Sequence, residues 1–471
     1  MITYEDAKAL LQRNDQDHLL RFWDDLNDNK KNGLLSQIEN LDFENVSYIL
    51  ELLSKSDSES TPSDMEPAKV IELPEFTSIC ESEGLVPLGE KAISDGEVGV
   101  VLVAGGQGTR LGFDGPKGAY PLAPISDASL FEIHSRKILA LERKYNAEIP
   151  FYIMTSEAND AATREFFEQN DFFGLSLSRV KFFVQGMWPA LTADGKVILE
   201  TPDHIFKGPD GHGGTLTALK TRGMLDDMDA RSVKTVFYFQ VDNPLVEIAS
   251  PAFIGLHLQR KSEVSVKLCA KRDPDEGLGM VIERDGKNMV VEYTELTKEQ
   301  KEETMPDGRL RLLFGSVAIH IFSVDFMKQE ASAQMPVHIA HKKVPYCNEN
   351  GETVKPETPN AYKFEKFIFD VLPDAQKSIN VEFLREEEFS PVKNAEGSDS
   401  PETSRNDMMM KFARWFEKCG IEVPRDDAGM PKYKIEIDPC FALNADDLKN
   451  QLSADFEING DLLLAESDDE E

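Results

Sequence analysis

The stretch that most constrains this 471-residue chain is Val98–Gly118. Residues 98–103 form an unbroken, largely β-branched apolar run, which reads as a strand buried on both faces. The run breaks into a turn with glycines at 105, 106, 108, 112, 115 and 118. Glycine lets backbone N–H groups reach a ligand with no Cβ in the way, and successive N–H groups in such a turn form an anion-binding concavity. Arg110 adds a planar, permanently charged fork and Lys117 a mobile point charge. Strand, glycine turn and two cations describe a loop that holds phosphates. It is not the dinucleotide pattern, because Gly106 and Gly108 would then require glycine at Leu111. Nor is it the Walker pattern, because Lys117 precedes Gly118 instead of Ser or Thr.

Around this stretch the chain alternates strands with helices. Strands are expected at 150–155, 180–184, 235–240 and 264–268, and helices from Ser129 through Leu141, over 158–169 and over 251–261. That alternation implies an α/β fold with a mainly parallel, Rossmann-like sheet flanked by helices and joined by right-handed crossovers. Ligands in such sheets sit beyond the carboxyl ends of the strands, and polar residues follow Val103, Val184 and Val241. Before this region, 4–11, a segment starting at 17–23, and 43–53 read as helices, with a break at Asn32-Gly33 and a polar linker over 54–64. After it, a loop over 385–405 leads to a helix over 402–418 and short strands near 432–437 and 456–464. The expected division is a helical N-terminal part (1–95), a catalytic domain (96–385) and a small α+β C-terminal domain (386–471). The tail Glu466–Glu471 is too charged to fold alone.

Composition removes several classes of function. A net charge of −34 argues against nucleic acid and anionic membrane as partners. No apolar run approaches the roughly 18 residues that span a bilayer, and the polar N-terminus does not read as a signal peptide. Five scattered cysteines with no C-x-x-C fit a reduced cytoplasmic setting and not a structural zinc site.

Four further positions carry chemistry. Pro209–Gly214 is a second glycine-rich turn, able to press backbone against a base or sugar, or simply to close a hairpin around His212. Asp242 ends a buried strand, where it can hold Mg²⁺ beside bound phosphates or cap its own turn before Pro244. Glu292 lies in a strand-like run, either partnered by sugar hydroxyls or exposed on an edge strand. Lys393, in the loop 389–394, reads on its own as a surface lysine.

The segment G-G-x-G-T-R-L-G…P-K-G (Gly105–Gly118) resembles the signature of the nucleotide-sugar pyrophosphorylases. The chain is similar, from about residue 80 to about 400, to the eukaryotic-type UDP-N-acetylglucosamine pyrophosphorylases and their UDP-sugar pyrophosphorylase relatives. Phe183–Gly186, Pro209–Gly214, Val241–Asn243, Val290–Glu292, Lys363–Asp370 and Phe389–Asn394 recur in the same order. The resemblance implies a nucleotide-diphospho-sugar transferase fold and uridylyl transfer from UTP to a hexose 1-phosphate, with Mg²⁺ as cofactor and Mn²⁺ as its alternative. It implies that Gly105, Gly106, Gln185 and Gly211 contact the nucleoside. Arg110 and Lys117 then hold the UTP phosphates, Gly279 and Glu292 the sugar, Lys393 the sugar's phosphate, and Asp242 the metal. Two positions depart from the N-acetylglucosamine pattern at the sugar: His212 stands where those enzymes usually carry Asn, and Ser316 where they carry the Asn of a Gly-Asn-Ile strand. N-acetylglucosamine 1-phosphate is the first expectation, with glucose 1-phosphate or a broad range of sugars behind it, and a nucleotide-sugar sensor as the non-enzyme alternative. A monomer or weak homo-oligomer is expected. Because both substrates are anions and so is the chain, moderate salt is expected to leave the second-order rate constant unchanged or raise it.

Overall fold

In the computed structural model, residues 2–55, 65–453 and 455–466 are described. The chain divides into two compact units, each assembled from three segments. The smaller gathers 1–62, 186–214 and 335–368, and the larger gathers 63–185, 215–334 and 369–471. These discontinuous units do not follow the linear boundaries at 95 and 385. The reason is topological, since excursions of the chain at 186–214 and 335–368 join the N-terminal helices in one core.

The larger unit holds a mixed sheet whose strands we number β1 (Glu66–Pro67), β2 (Val98–Val103), β3 (Phe151–Thr155), β4 (Val180–Val184), β5 (Thr235–Gln240), β6 (Val264–Ala270), β7 (Gly279–Arg284), β8 (Lys287–Val291), β9 (Phe314–Ser323) and β10 (Ser378–Glu382). The order β5-β2-β3-β4 is parallel throughout. β2, β3 and β5 are buried almost end to end, as the apolar runs predict for strands covered on both faces. The chain steps from β2 to β3 to β4 in one direction, then returns to place β5 on the far side of β2. The direction of winding therefore reverses between β2 and β5, and a crevice at the carboxyl ends of such a pair is where open α/β sheets bind ligands. Beyond β5 the sheet turns antiparallel: β9 pairs with β5, β6 and β7, and β7 with β8.

Helices cover the sheet as expected. Ser129 accepts from the Glu132 N–H and starts the helix Leu130–Tyr145, whose buried face includes Phe131, Ile138 and Leu141. Pro251 opens the helix Pro251–Arg260, and Ser400 caps Pro401–Lys418, which buries Phe412, Trp415 and Phe416.

The smaller unit carries helices Tyr4–Arg13, Asp28–Glu39 and Phe43–Lys55 over a core of Leu11, Leu34, Ile38, Ile49 and Phe364. Two expectations fail here. The segment starting at 17–23 forms two short 3₁₀ turns, Asp17–Leu20 and Trp23–Asp25, not a helix. Helix Asp28–Glu39 passes through Asn32-Gly33 without a break. Burial of Leu34, Leu35 and Ile38 outweighs the ~1 kcal/mol that glycine costs a helix. Residues 56–64 of the expected linker and 467–471 of the expected tail lie outside the described residues.

Candidate active site

The glycine stretch leaves β2 at Val103 and folds back on itself. Gly108 N–H donates to Gly115 O at 2.9 Å, Lys117 N–H donates to Gly106 O at 3.1 Å, and Gln107 bridges Pro116. A buried side chain from outside the motif holds its base: Asn159 Nδ2 donates to Ala104 O at 2.9 Å and to Gly106 O at 3.1 Å. A Cβ at Gly105 would come within 2.7 Å of Gln185 Nε2, so only glycine lets the first turn of the loop lie against that side chain. The two residues expected to meet a nucleoside are therefore in contact, although 80 positions separate 105 from 185. Beside them Gly106 faces open space. Arg110, in the 3₁₀ turn Thr109–Leu111, is exposed and has no hydrogen-bond or ion-pair partner among the described residues. Its guanidinium is available to an anion.

Across the reversal between β2 and β5, Lys117 Nζ stands 3.2 Å from Asp242 Oδ2, with both side chains largely shielded from solvent. The Asp242 backbone is tied to the loop that carries Lys393, because Val392 N–H donates to Asp242 O at 2.8 Å. Asn243 doubles the tie: its Nδ2 donates to Glu388 O at 2.7 Å, and its Oδ1 accepts from Ser390 N–H at 3.1 Å. Lys393 thus follows directly on a residue bonded to Asp242, with its Nζ 5.8 Å from the centre of the Phe389 ring. Beneath this turn the buried His134 meets Val241 O through Nε2 at 3.0 Å. Burial lowers its pKa to about 3, so it serves as a neutral donor.

Asp242 offers one hard carboxylate oxygen donor set, and no group of three or more His, Cys, Asp or Glu among the described residues is placed to cage a metal. That fits Mg²⁺, which takes one or two carboxylates and completes its shell with water and substrate phosphates. Lys117 and such an ion would share a single carboxylate.

Three of the residues expected at the sugar, Gly279, Glu292 and Ser316, come together on the antiparallel side of the sheet. Gly279 is the register partner of Ser316. A Cβ at Gly279 would lie 3.3 Å from Glu292 Oε1 and 2.7 Å from Val290 Cγ1. β8 ends at Val291, so Glu292 stands just beyond an edge strand and not inside one. Its backbone is held in a turn with Glu295, whose Oε2 accepts the Glu292 N–H at 3.0 Å. Ser316 precedes a break in register between β6 and β9, where Ala318 takes φ +60° and directs its N–H to Ser316 Oγ at 3.4 Å. Such a bulge re-aims side chains next to a site.

Gly211 and His212 belong to the smaller unit. Gly211 has φ +84°, and a Cβ there would strike Lys366 O at 2.4 Å. Lys366 closes this loop, its N–H donating to Asp210 O at 2.8 Å and its O accepting from Gly213 N–H at 2.8 Å. His212 stacks on Phe367 at 5.3 Å, and its Nδ1 accepts the Ile368 N–H at 3.1 Å. Burial and the nearby His338 lower the pKa of His212 to about 4. The ring is therefore neutral at physiological pH, with its proton on Nε2. Burial raises the pKa of Asp210 to about 6, against the pull of Lys366.

Sequence reasoning missed Asn159, Asn243 and the Asp210–Lys366 pairing. Asn243 carried a signal, an amide next to the proposed metal ligand at a strand end. Asn159 carried none.

A family model described as UTP–glucose-1-phosphate uridylyltransferase matches residues 51–426. UDP-N-acetylhexosamine pyrophosphorylase-like protein 1 of Homo sapiens is 36% identical over 502 residues, covering 99% of this chain and 98% of that protein. The UDP-N-acetylglucosamine pyrophosphorylase of Saccharomyces cerevisiae is 36% identical over 439 residues, covering 89% of this chain and 92% of its own length. Among solved structures, the uridine diphosphate N-acetylglucosamine pyrophosphorylase of Trypanosoma brucei, in complex with an inhibitor, aligns over 100% of this chain and 99% of that one with a TM-score of 0.84 and 26% identity.

Proposed function

The chain belongs to the UTP–glucose-1-phosphate uridylyltransferase family, and from that premise we propose that it makes UDP-N-acetylglucosamine and pyrophosphate from UTP and N-acetylglucosamine 1-phosphate. The observation that carries the reading is the pairing of Lys117 with Asp242 across the reversal between β2 and β5. It joins a phosphate-binding cation and a candidate metal ligand at the carboxyl ends of parallel strands. The relatives named for N-acetylhexosamine and N-acetylglucosamine favour that sugar over glucose.

A phosphate oxygen of the sugar 1-phosphate attacks the α-phosphorus of UTP in line; a new P–O bond forms as the α–β bridging bond breaks, and pyrophosphate departs with the electron pair. The nucleophile is already an anion at neutral pH, so no general base is needed, and catalysis rests on positioning and charge neutralisation. Arg110 offsets the charge that grows on the leaving pyrophosphate. Lys117 holds the UTP phosphates and Lys393 the attacking phosphate. Gly105, Gly106 and Gln185 seat the nucleoside, while Gly279, Glu292 and Ser316 face the sugar. Asp242 would hold Mg²⁺, which supplies positive charge against the triphosphate when bound.

Among the described residues no helix is long and apolar enough to cross a membrane. All five cysteines are free thiols, which supports a reducing, cytoplasmic setting.

The test is release of pyrophosphate from UTP and Mg²⁺ with a panel of sugar 1-phosphates. N-acetylglucosamine 1-phosphate should give the highest kcat/KM. A higher value for glucose 1-phosphate would reverse the sugar assignment, and no release with any sugar would remove the enzymatic reading.

A further inference from the structure

Within the larger unit, a cavity of about 100 Å³ lies apart from every residue assigned above. Its walls come from helix Leu130–Tyr145, the turn 244–251, helix Pro401–Lys418 and the segment 436–444. Most of the lining is apolar or aromatic, with Ile133, Leu245, Met408, Phe412 and Trp415 among it.

Two lysines in that lining are unlike the rest. Lys137 Nζ donates to Pro244 O at 2.5 Å and to Val246 O at 2.9 Å. Lys411 Nζ donates to Leu245 O at 3.0 Å and to Glu387 O at 2.6 Å. An ammonium has three hydrogens, so each lysine keeps one with no acceptor among the described residues. Neither forms an ion pair among those residues. The carboxylates around them are engaged elsewhere: Glu388 is held by Lys267 at 2.5 Å, Glu247 lies 3.6 Å from the same lysine, and Glu387 is held by Arg414 at 2.7 Å. Burial lowers both lysine pKa values, and the charge of Lys411 lowers that of Lys137 further, against the upward pull of Glu388 and Glu247 on both and of Glu387 on Lys411. Two buried lysines, neither within ion-pair distance of a carboxylate among the described residues, stand beside a mostly apolar void, and an anion there would favour their charged form.

The same lysines hold three successive carbonyls of the turn that continues from Asp242 and Asn243, and Lys411 also ties that turn to the segment leading to Lys393. We propose that the cavity is an effector site for a small carboxylate on an aromatic or alicyclic body, and that its occupancy changes how the Asp242 turn meets the nucleotide. The head would take the free N–H groups of Lys137 and Lys411, and the body would fill the apolar void. The second half rests on the uridylyl-transfer reading, whereas the first does not.

Calorimetry on the full chain tests the first half, with benzoate as the probe, benzyl alcohol as the body without charge, and inorganic phosphate as the charge without body. Benzoate should bind at one site that saturating UTP does not block, about tenfold or more tighter than either comparator. Ala442→Leu, which narrows the cavity from its 436–444 wall, should abolish binding, with Met408→Phe as a second filling variant if the first fails to fold. Lys411→Met should weaken it by about tenfold or more. Benzoate bound undiminished by a folded filling variant, displaced by UTP, or bound no tighter than benzyl alcohol would overturn the site. For the second half, saturating benzoate should shift the KM for UTP by about threefold or more in the wild type and not in Ala442→Leu. An unmoved KM with benzoate bound would overturn the effector role. Absence of any pyrophosphate release would sink the uridylyl-transfer reading and leave the calorimetric result standing.

Discussion

The two halves of the sheet hold their candidate ligands by different means. On the parallel side, the β2 loop and the end of β5 present backbone N–H groups, two cations and a carboxylate at a reversal of winding. On the antiparallel side, Gly279, Glu292 and Ser316 come from β7, the end of β8 and a bulge in β9. The first is a charged cradle made largely from one contiguous stretch. The second is a polar corner that exists only because three strands pair in one register. The difference teaches where rate and where choice should reside under the proposed function: fixed charge would act on the phosphates of any substrate, while the corner would act only on what distinguishes one sugar from another.

The sharpest way to break this division is Arg110→Ala. Loss of one preorganised partner for developing charge lowers kcat by on the order of 10²-fold or more, with the KM for the sugar phosphate little changed. Steady-state rates within about threefold of wild type would remove Arg110 from the charged side, since effects of that size belong to weak or indirect contacts.

Next in size is Asp242→Asn. A hydrogen bond to a charged group is worth roughly 1.5–3 kcal/mol, so kcat/KM at limiting Mg²⁺ should fall by about thirtyfold and recover in part as Mg²⁺ is raised. The substitution also releases Lys117 from its only described ion pair. A deficit that Mg²⁺ does not touch would mean that Asp242 positions Lys117 and holds no metal.

The contrast between the halves also explains what could be read without coordinates. The loop 104–118 was legible because its glycines and cations fall within one short stretch, and the buried runs of β2, β3 and β5 announced a sheet covered on both faces. The family resemblance brought Gly105 and Gln185 to one ligand, whereas the pairing of Lys117 with Asp242 became visible only through the β5-β2-β3-β4 order. Nothing local marked Asn159 as the anchor of the glycine loop, because a buried amide declares itself only once its acceptors, Ala104 O and Gly106 O, are known. Glu292 was misplaced inside a strand since Val290-Val291 continues the apolar pattern to its edge, whereas the turn with Glu295 ends the strand. The helix through Gly33 was misread for the opposite reason: a local breaker signal lost to tertiary burial of Leu34, Leu35 and Ile38.

On the polar side, Glu292→Gln should raise the KM for the sugar phosphate by about tenfold, a loss near 1.4 kcal/mol, while kcat stays within about twofold. A fall in kcat with KM unchanged would place Glu292 among the groups that act in the transition state and erase the proposed separation.

The smallest effect is the most discriminating. Ser316 pairs in register with Gly279, and its Oγ accepts from the Ala318 N–H at the bulge, which orients it at the corner where Glu292 lies. A hydroxyl there can meet one polar atom of the sugar substituent; an amide offers both a donor and an acceptor to an N-acetyl group. One added neutral hydrogen bond is worth ~1 kcal/mol, so Ser316→Asn should shift the ratio of kcat/KM for N-acetylglucosamine 1-phosphate over glucose 1-phosphate upward by about fivefold. The rate with saturating preferred sugar should hold, because no phosphate-binding group is altered. A ratio that does not move while both sugars lose rate would show the bulge to be structural only. A ratio that falls would mean that the wild-type hydroxyl already serves the acetyl group and that the larger amide crowds it.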